Sequence, residues 1–139
     1  MFDLVSSNST LQMTDRSMTL AARRMALIAS NLSNIDTPGY HTRDFNFEDA
    51  FNTEMAKLDR QLSPTTSTPS YFTSEQDGVT LPPVTDPQDI TSERNDGNDV
   101  HLDRETMNLA KTQETYQFAS NLAQSELRTV LGAIRDAAK

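Results

Sequence analysis

A repeat of seven residues runs through the first part of the chain. Two positions of each heptad are mostly apolar, and they hold the series Leu4, Leu11, Met18, Met25, Leu32 and the series Thr14, Ala21, Ile28, Ile35. Such a stripe lies along one side of an α-helix and needs a partner helix to cover it. The polar stretch 6–10 places the start of regular helix near residue 10, so we expect a helix over 10–34.

This helix is predicted to stop before Pro38, because proline disfavours helical geometry in the residue that precedes it. Gly39 then supplies the conformational freedom of a turn. After a loop over 40–46, apolar residues return at spacings of three and four behind Asn46, which can cap a helix: Phe47, Phe51, Met55, Leu58 and Leu62. We therefore predict a short helix over 47–61.

The end of the chain carries another helical repeat, which begins behind Asp103, a good N-cap residue. Its main stripe consists of Leu109, Tyr116, Ala123, Leu127, Val130, Ile134 and Ala137. A second apolar stripe lies off this seam and consists of Met107, Phe118, Leu122 and Leu131. A helix with apolar residues on two faces is expected to meet more than one neighbour.

The middle of the chain differs from both ends. Residues 63–100 hold five of the six prolines and include SPTTSTPS, whose composition is that of a flexible linker. The segment 71–84 is compatible with a small hairpin around Asp77-Gly78. We predict three regions: an N-terminal helical region over 1–62, an acidic linker rich in Pro, Ser and Thr over 63–100, and a C-terminal helix over 101–139.

The predicted fold is thus mostly α. Its N- and C-terminal helices pair as an antiparallel coiled coil or helical hairpin, a short third helix lies beside them, and a long flexible segment joins the parts.

Charge and composition exclude several classes of function. The net charge is -8, the excess negative charge lies in 36–102, and no basic stripe is present that could bind nucleic acid. No apolar run approaches the roughly 20 residues of a membrane span, and the N-terminus lacks the pattern of a cleaved signal peptide. With no cysteine, with His41 and His101 isolated, and with no nucleophile or phosphate-loop motif, we expect no enzyme activity and no catalytic, cofactor or metal site.

One segment is too specific for composition to explain. Residues 29–40 read Ala-Ser-Asn-Leu-Ser-Asn-Ile-Asp-Thr-Pro-Gly-Tyr, which closely resembles the N-terminal signature of the bacterial flagellar axial proteins of rod and hook. The continuation over 41–48 and the segment 97–105 before the last helix resemble the proximal-rod members. The resemblance covers 10–60 and 95–137, with Ser33 in place of the usual alanine and Ile35 in place of a smaller residue.

The resemblance implies a structural subunit of the proximal rod of the flagellar basal body, needed for rod assembly and torque transmission in motility. It implies a periplasmic location after export by the flagellar type III apparatus without a cleaved signal peptide. The implied partners are companion proximal-rod proteins, rod-base adaptor and export-gate proteins, and further copies in a helical array.

The predicted subunit interface joins the motif to the apolar stripes. In the motif, the residues implied to shape the turn and loop that contact adjacent subunits are Asn31, Asn34, Thr37, Gly39 and Tyr40. Capping of the first helix is the alternative role of the asparagines. From the stripes the prediction takes Leu11, Met18, Met25, Ile28, Leu32, Leu109, Tyr116, Phe118, Leu122, Leu127, Val130 and Ile134.

Two other hypotheses stay open from the sequence. The first hypothesis is another flagellar axial subunit of rod or hook. The second is a secreted helical adaptor or effector that binds a partner's helix in a groove. A cell-wall hydrolase is a third class, but it would need a catalytic carboxylate in a cleft, and the sequence shows no cleft-forming domain.

Overall fold

The computed structural model describes residues 4–62, 84 and 95–137. Within these ranges it contains three helices and no strand: α1 (Leu4–Ser33), α2 (Phe47–Leu62) and α3 (Leu102–Ala137). The predicted mostly α fold is confirmed. The predicted hairpin around Asp77-Gly78 and most of the predicted linker lie outside the described residues. None of the three described helices combines the length and apolar content that a membrane span requires.

The two long helices form an antiparallel pair. Asn31, close to the end of α1, is hydrogen-bonded to Glu105, in the first turn of α3, and the two helices pack extensively against each other. α1 has 30 residues and α3 has 36, which correspond to lengths of about 45 and 54 Å. The predicted helical hairpin is therefore present in a single chain.

Buried residues follow a seven-residue spacing on both long helices. On α1 they are Thr14, Ala21 and Ile28, one of the two predicted series, with Leu11, Met18, Met25 and Leu32 of the other series partly covered. On α3 the buried residues are Glu105, Thr112 and Ala119. None of these three belongs to the predicted apolar stripes of α3. Leu109, Ala123 and Val130 of the predicted main stripe are partly covered.

The short helix α2 packs on α1 through a separate cluster. Leu20, Phe45 and Ala50 are buried together, and Leu27, Phe47 and Phe51 cover them. Asn46 caps α2 as predicted, since its Oδ1 accepts hydrogen bonds from the backbone N–H groups of Glu48 and Asp49 at 3.1 and 3.3 Å.

An ion pair fixes the loop between α1 and α2. The guanidinium of Arg24 binds the carboxylate of Asp44 through two hydrogen bonds, 3.0 Å from Nε to Oδ1 and 2.7 Å from Nη2 to Oδ2. Such bidentate pairs fix orientation as well as distance. The loop that leaves α1 is thereby held against the side of that same helix.

Three predicted boundaries differ from the structure. α1 begins at Leu4 and not near residue 10, because serine and asparagine weaken a helix by only about 0.5 kcal/mol each, too little to stop it. α1 ends at Ser33, and turns follow it to Asp36. α3 begins at Leu102, so Asp103 lies in its first turn and is not the N-cap. In the first turn the helix dipole stabilises a carboxylate.

Candidate functional site

The end of α1 and the start of α3 are tied together by two loop segments. We call this region the joint and define it as residues 31–43 together with 96–105. Backbone hydrogen bonds cross it from Gly39 N to Asp96 O at 3.0 Å and from Asp99 N to Tyr40 O at 3.3 Å. Gly39 and Gly97 have φ angles of +70° and +75°, values that glycine adopts without steric cost.

Asn98 satisfies the carbonyl groups that follow α1. Its side chain is fully buried, and its Nδ2 donates to the carbonyl oxygens of Asn34 at 2.9 Å and Thr37 at 2.8 Å. Its Oδ1 accepts a hydrogen bond from Val100 N at 2.8 Å. One side chain thus binds the turn after α1 to the approach to α3.

Asp99 anchors the other side of the joint. Its carboxylate is buried, and Oδ1 accepts hydrogen bonds from the backbone N–H and the hydroxyl of Thr42, while Oδ2 lies 3.0 Å from His41 Nδ1. Burial raises the pKa of Asp99, but the hydrogen bonds from the Thr42 side chain and backbone and the interaction with His41 outweigh it. The net effect is a pKa below the ordinary value of an aspartate.

Asn31 connects the joint to the helix pair. Its Nδ2 donates to Arg43 O and to Glu105 Oε2, both at 2.9 Å, and its Oδ1 accepts from Arg43 N at 3.0 Å and from the Tyr40 hydroxyl at 3.2 Å. All four hydrogen-bonding positions of the amide are filled. The backbone N–H and C=O of Arg43 also determine which way the amide points.

Asn34 has a local role instead. Its Nδ2 donates to Ser30 O at 2.8 Å, and its Oδ1 accepts from the Thr37 hydroxyl at 3.2 Å. These bonds satisfy a carbonyl in the last turn of α1, where no intrahelical donor follows. The capping role weighed for the asparagines therefore holds for Asn34, whereas Asn31 links three separate parts of the chain.

α3 carries large apolar side chains that α1 does not cover. Phe118 is 70 % exposed, Leu131 64 % and Ile134 60 %. We call the exposed surface of α3 the outward face, and its large apolar residues are Met107, Tyr116, Phe118, Leu127, Leu131 and Ile134. Near its end, Arg128 and Arg135 line a shallow depression with Leu131, Gly132 and Ile134. The helix thus presents apolar surface that nothing in the described part of the chain covers.

Comparison with known proteins shows similarity to proteins of the flagellar basal body. The model of a family described as flagella basal body rod protein matches residues 15–41, which span most of α1 and the start of the joint. The chain is also similar to flagellar basal body rod proteins named FlgB. That of Salmonella typhimurium (strain LT2) is 27% identical, over 92% of this chain and 94% of the relative.

Two further relatives widen the comparison. The FlgB protein of Bacillus subtilis (strain 168) is 26% identical over 79% of this chain and 81% of its own length. That of Buchnera aphidicola is 23% identical over 86% of this chain and 90% of its own length. The match therefore includes both long helices and the joint. Over most of its length the chain is similar to flagellar basal body rod proteins, and a structural role in the rod is the function that this similarity supports.

The predicted interface residues fall into three groups. Fully buried in the chain are Ile28 and Asn31. Partly covered are Leu11, Met18, Met25, Leu32, Asn34, Tyr40, Leu109, Leu122 and Val130. Exposed are Thr37, Gly39, Tyr116, Phe118, Leu127 and Ile134. The assignment of these residues to a subunit interface stays a prediction.

Sequence reasoning missed four residues of the joint, none of which is among the predicted interface residues: Thr42, Asn98, Asp99 and Glu105. Their partners lie 57 to 74 positions away in the sequence, so no local pattern reveals them. The only signal was the resemblance of the segment 97–105 to rod proteins.

Proposed function

We propose that this subunit of the proximal rod packs against its neighbours through the outward face of α3. The observation that carries the proposal is the exposure of Phe118, Leu131 and Ile134 on a helix whose covered side is small and polar. Large apolar side chains exposed to this extent are typical of a protein interaction site. A helix that is covered on one side by α1 needs further helices to cover the other.

The assembly that we propose is a helical array. Each subunit uses two different surfaces for head-to-tail contacts, which do not close into a ring. The neighbours are companion proximal-rod proteins and further copies of this chain, with rod-base adaptor and export-gate proteins at the lower end. Torque passes through many packed helices, so the function requires rigid packing and no catalytic group.

The proposed route to this location is export by the flagellar apparatus without a cleaved signal peptide, followed by folding on arrival in the periplasm. One feature supports this route. The α1–α3 seam buries few large apolar side chains, so we expect the hairpin to be only marginally stable before assembly.

The joint has a supporting role in the proposed assembly. It holds the approach to α3 against the end of α1 through Asn98 and Asp99, while Asn31 is hydrogen-bonded to Glu105 of α3 itself. Thr37 and Gly39 are exposed at the surface of the joint. They are the motif residues that we expect to contact an adjacent subunit.

The outward face can be tested by adding charge to it. Phe118→Asp and Leu131→Asp should each abolish swimming and remove the rod from purified basal bodies, because an aspartate in an apolar contact loses its hydration. Both side chains are exposed in the single chain, so its unfolding free energy should change by less than about 0.5 kcal/mol.

The matched control is Gln117→Asp, which places the same charge at an exposed position of α3 that is already polar. We expect this variant to swim. Normal swimming and intact rods in the Phe118 and Leu131 variants would disprove the proposed contact. A chain that is exported but absent from basal bodies, even without substitution, would favour the secreted adaptor instead.

A further inference from the structure

The packing of α1 against α3 does not by itself specify how the two helices align. The buried residues of α3 are Glu105, Thr112 and Ala119, at intervals of seven. A shift of α3 by one heptad would place Thr112 level with Asn31 and would leave a similar set of small residues in the seam. Apolar packing therefore gives little preference between neighbouring registers.

Apolar packing also favours the wrong rotation of α3. Phe118 precedes Ala119 by one residue, which is about 100° around a helix. Turning α3 by that angle would replace buried Ala119 by Phe118, whose side chain is 70 % exposed in the observed orientation. Because burial of large apolar groups is favourable, another interaction must keep the small and polar side of α3 against α1.

We infer that Asn31 and Glu105 are this interaction and that together they fix the register and rotation of α3, whereas Asn98 and Asp99, which precede α3, hold only the loops of the joint together. Glu105 is 2 % exposed, its Oε2 accepts a hydrogen bond from Asn31 at 2.9 Å, and its Oε1 lies 3.7 Å from Arg104 Nε. A shifted or rotated α3 loses the Asn31 bond. If the Glu105 carboxylate then stays buried, it lacks the hydrogen bond from Asn31, and a buried carboxylate without that bond is strongly unfavourable.

The loop makes this recognition directional. Arg43 holds the Asn31 amide through its backbone N–H and C=O, so one N–H of the amide is left to point at α3. A buried polar residue in a helical seam can specify register at some cost in stability. Here the motif loop orients Asn31, and Asn31 selects the one position of α3 that carries a carboxylate at the right level.

Cysteine crosslinks in the full-length chain test this inference, since the chain has no cysteine of its own. Ser17 lies fourteen residues before Asn31, and Ala119 lies fourteen residues after Glu105, so the observed antiparallel register places them at one level. Ser17→Cys is combined in turn with Ala119→Cys, Thr112→Cys and Glu126→Cys. The last two pairs report a shift of one heptad in either direction.

In the parent background the Ser17→Cys, Ala119→Cys pair should give at least about tenfold more intramolecular disulfide than either shifted pair. The same ratio is expected with Glu114→Leu, which replaces an exposed glutamate of α3. The double variant Asn31→Leu, Glu105→Leu should remain helical by circular dichroism but distribute its crosslinks over all three pairs. A single Phe118→Cys should also react with maleimide more slowly in that background, because rotation of α3 buries it.

A double variant that keeps one dominant crosslink overturns the inference, and so does a parent chain without a dominant product. Should the double variant lose its helical signal, Glu105→Ala carries the same test, since alanine removes the carboxylate and favours helix. A single dominant crosslink in Glu105→Ala is then the contradicting result. The readout is internal to the isolated chain, so it is independent of whether the outward face contacts rod subunits.

Discussion

The two sides of α3 differ in a way that reverses the usual arrangement of an amphipathic helix. The side against α1 buries Glu105, Thr112 and Ala119, whereas Phe118 and Leu131, at other positions around the helix, are exposed. In a monomeric protein the large apolar residues are expected to face the interior. The contrast indicates that the apolar residues of α3 serve contacts outside the chain, while hydrogen bonds within the joint determine the position of α3 inside it.

The largest expected effect comes from a charge in the packing between α1 and α3, at Ile28, which is 1 % exposed. Ile28→Asp should lower the unfolding free energy by about 4 kcal/mol or more, because a buried carboxylate would lack a partner. Both helicity and swimming should be lost. Urea unfolding followed by circular dichroism measures the effect, with Ala22→Asp, at an exposed position of α1, as the control.

Such a loss would contrast with the outward-face variants, which should keep the fold and lose only assembly. If Ile28→Asp is as stable as the Ala22→Asp control, the two sides of the hairpin do not differ as described.

The joint is expected to contribute less than the buried apolar seam but more than a surface loop. Asn98→Ala removes the donors to the carbonyl groups of Asn34 and Thr37 and should cost about 2 to 3 kcal/mol. Asn121→Ala, at an exposed position of α3, is the matched control and should be neutral or slightly stabilising. Equal urea midpoints for the two variants would contradict the role of Asn98.

Acid should weaken the joint through Asp99. Because the pKa of Asp99 is lower in the folded than in the unfolded chain, its contribution is present above the unfolded pKa of about 4 and is lost as the pH falls through the folded pKa. The parent should therefore exceed Asp99→Asn in thermal midpoint at pH 7, and the difference should shrink below pH 4. A difference that stays constant to pH 2.5 would contradict this assignment.

The smallest expected effects come from two glycines and have opposite signs. Gly39 has a φ of +70° with open space around its Cα, so Gly39→Ala should cost about 1 kcal/mol through backbone conformation alone. Gly132 lies inside α3, also in open space, and Gly132→Ala should stabilise the chain by up to about 1 kcal/mol. Midpoints that shift in the same direction would show that the Gly39 turn is not a constraint.

The sequence predicted those parts of the molecule that depend on neighbours along the chain. The three helices, the Asn46 cap and the end of α1 before Pro38 all follow from local pattern and local chemistry. The family resemblance followed from one contiguous segment, residues 29–40. Each of these features can be recognised within a window of about ten residues.

The seam of α3 could not be predicted in the same way. Periodicity identifies apolar stripes but does not state which stripe faces which partner, and here the covered side is set by the bond between Asn31 and Glu105. Asp99 and Thr42 likewise depend on contacts across 57 positions of the sequence. Hydrogen bonds between distant segments have no periodic signature, so only the folded chain reveals them.

The joint has a consequence for how the protein can vary in length. Because Asp99 N donates a hydrogen bond to Tyr40 O, the joint holds together the two ends of the chain between these residues, which includes the stretch from α2 to residue 95. The entropy of closing a loop grows only with the logarithm of its length, and doubling it costs about 0.6 kcal/mol. Insertions in that stretch should therefore leave the helical hairpin intact, so evolution could add material there without altering the surface that the rod uses.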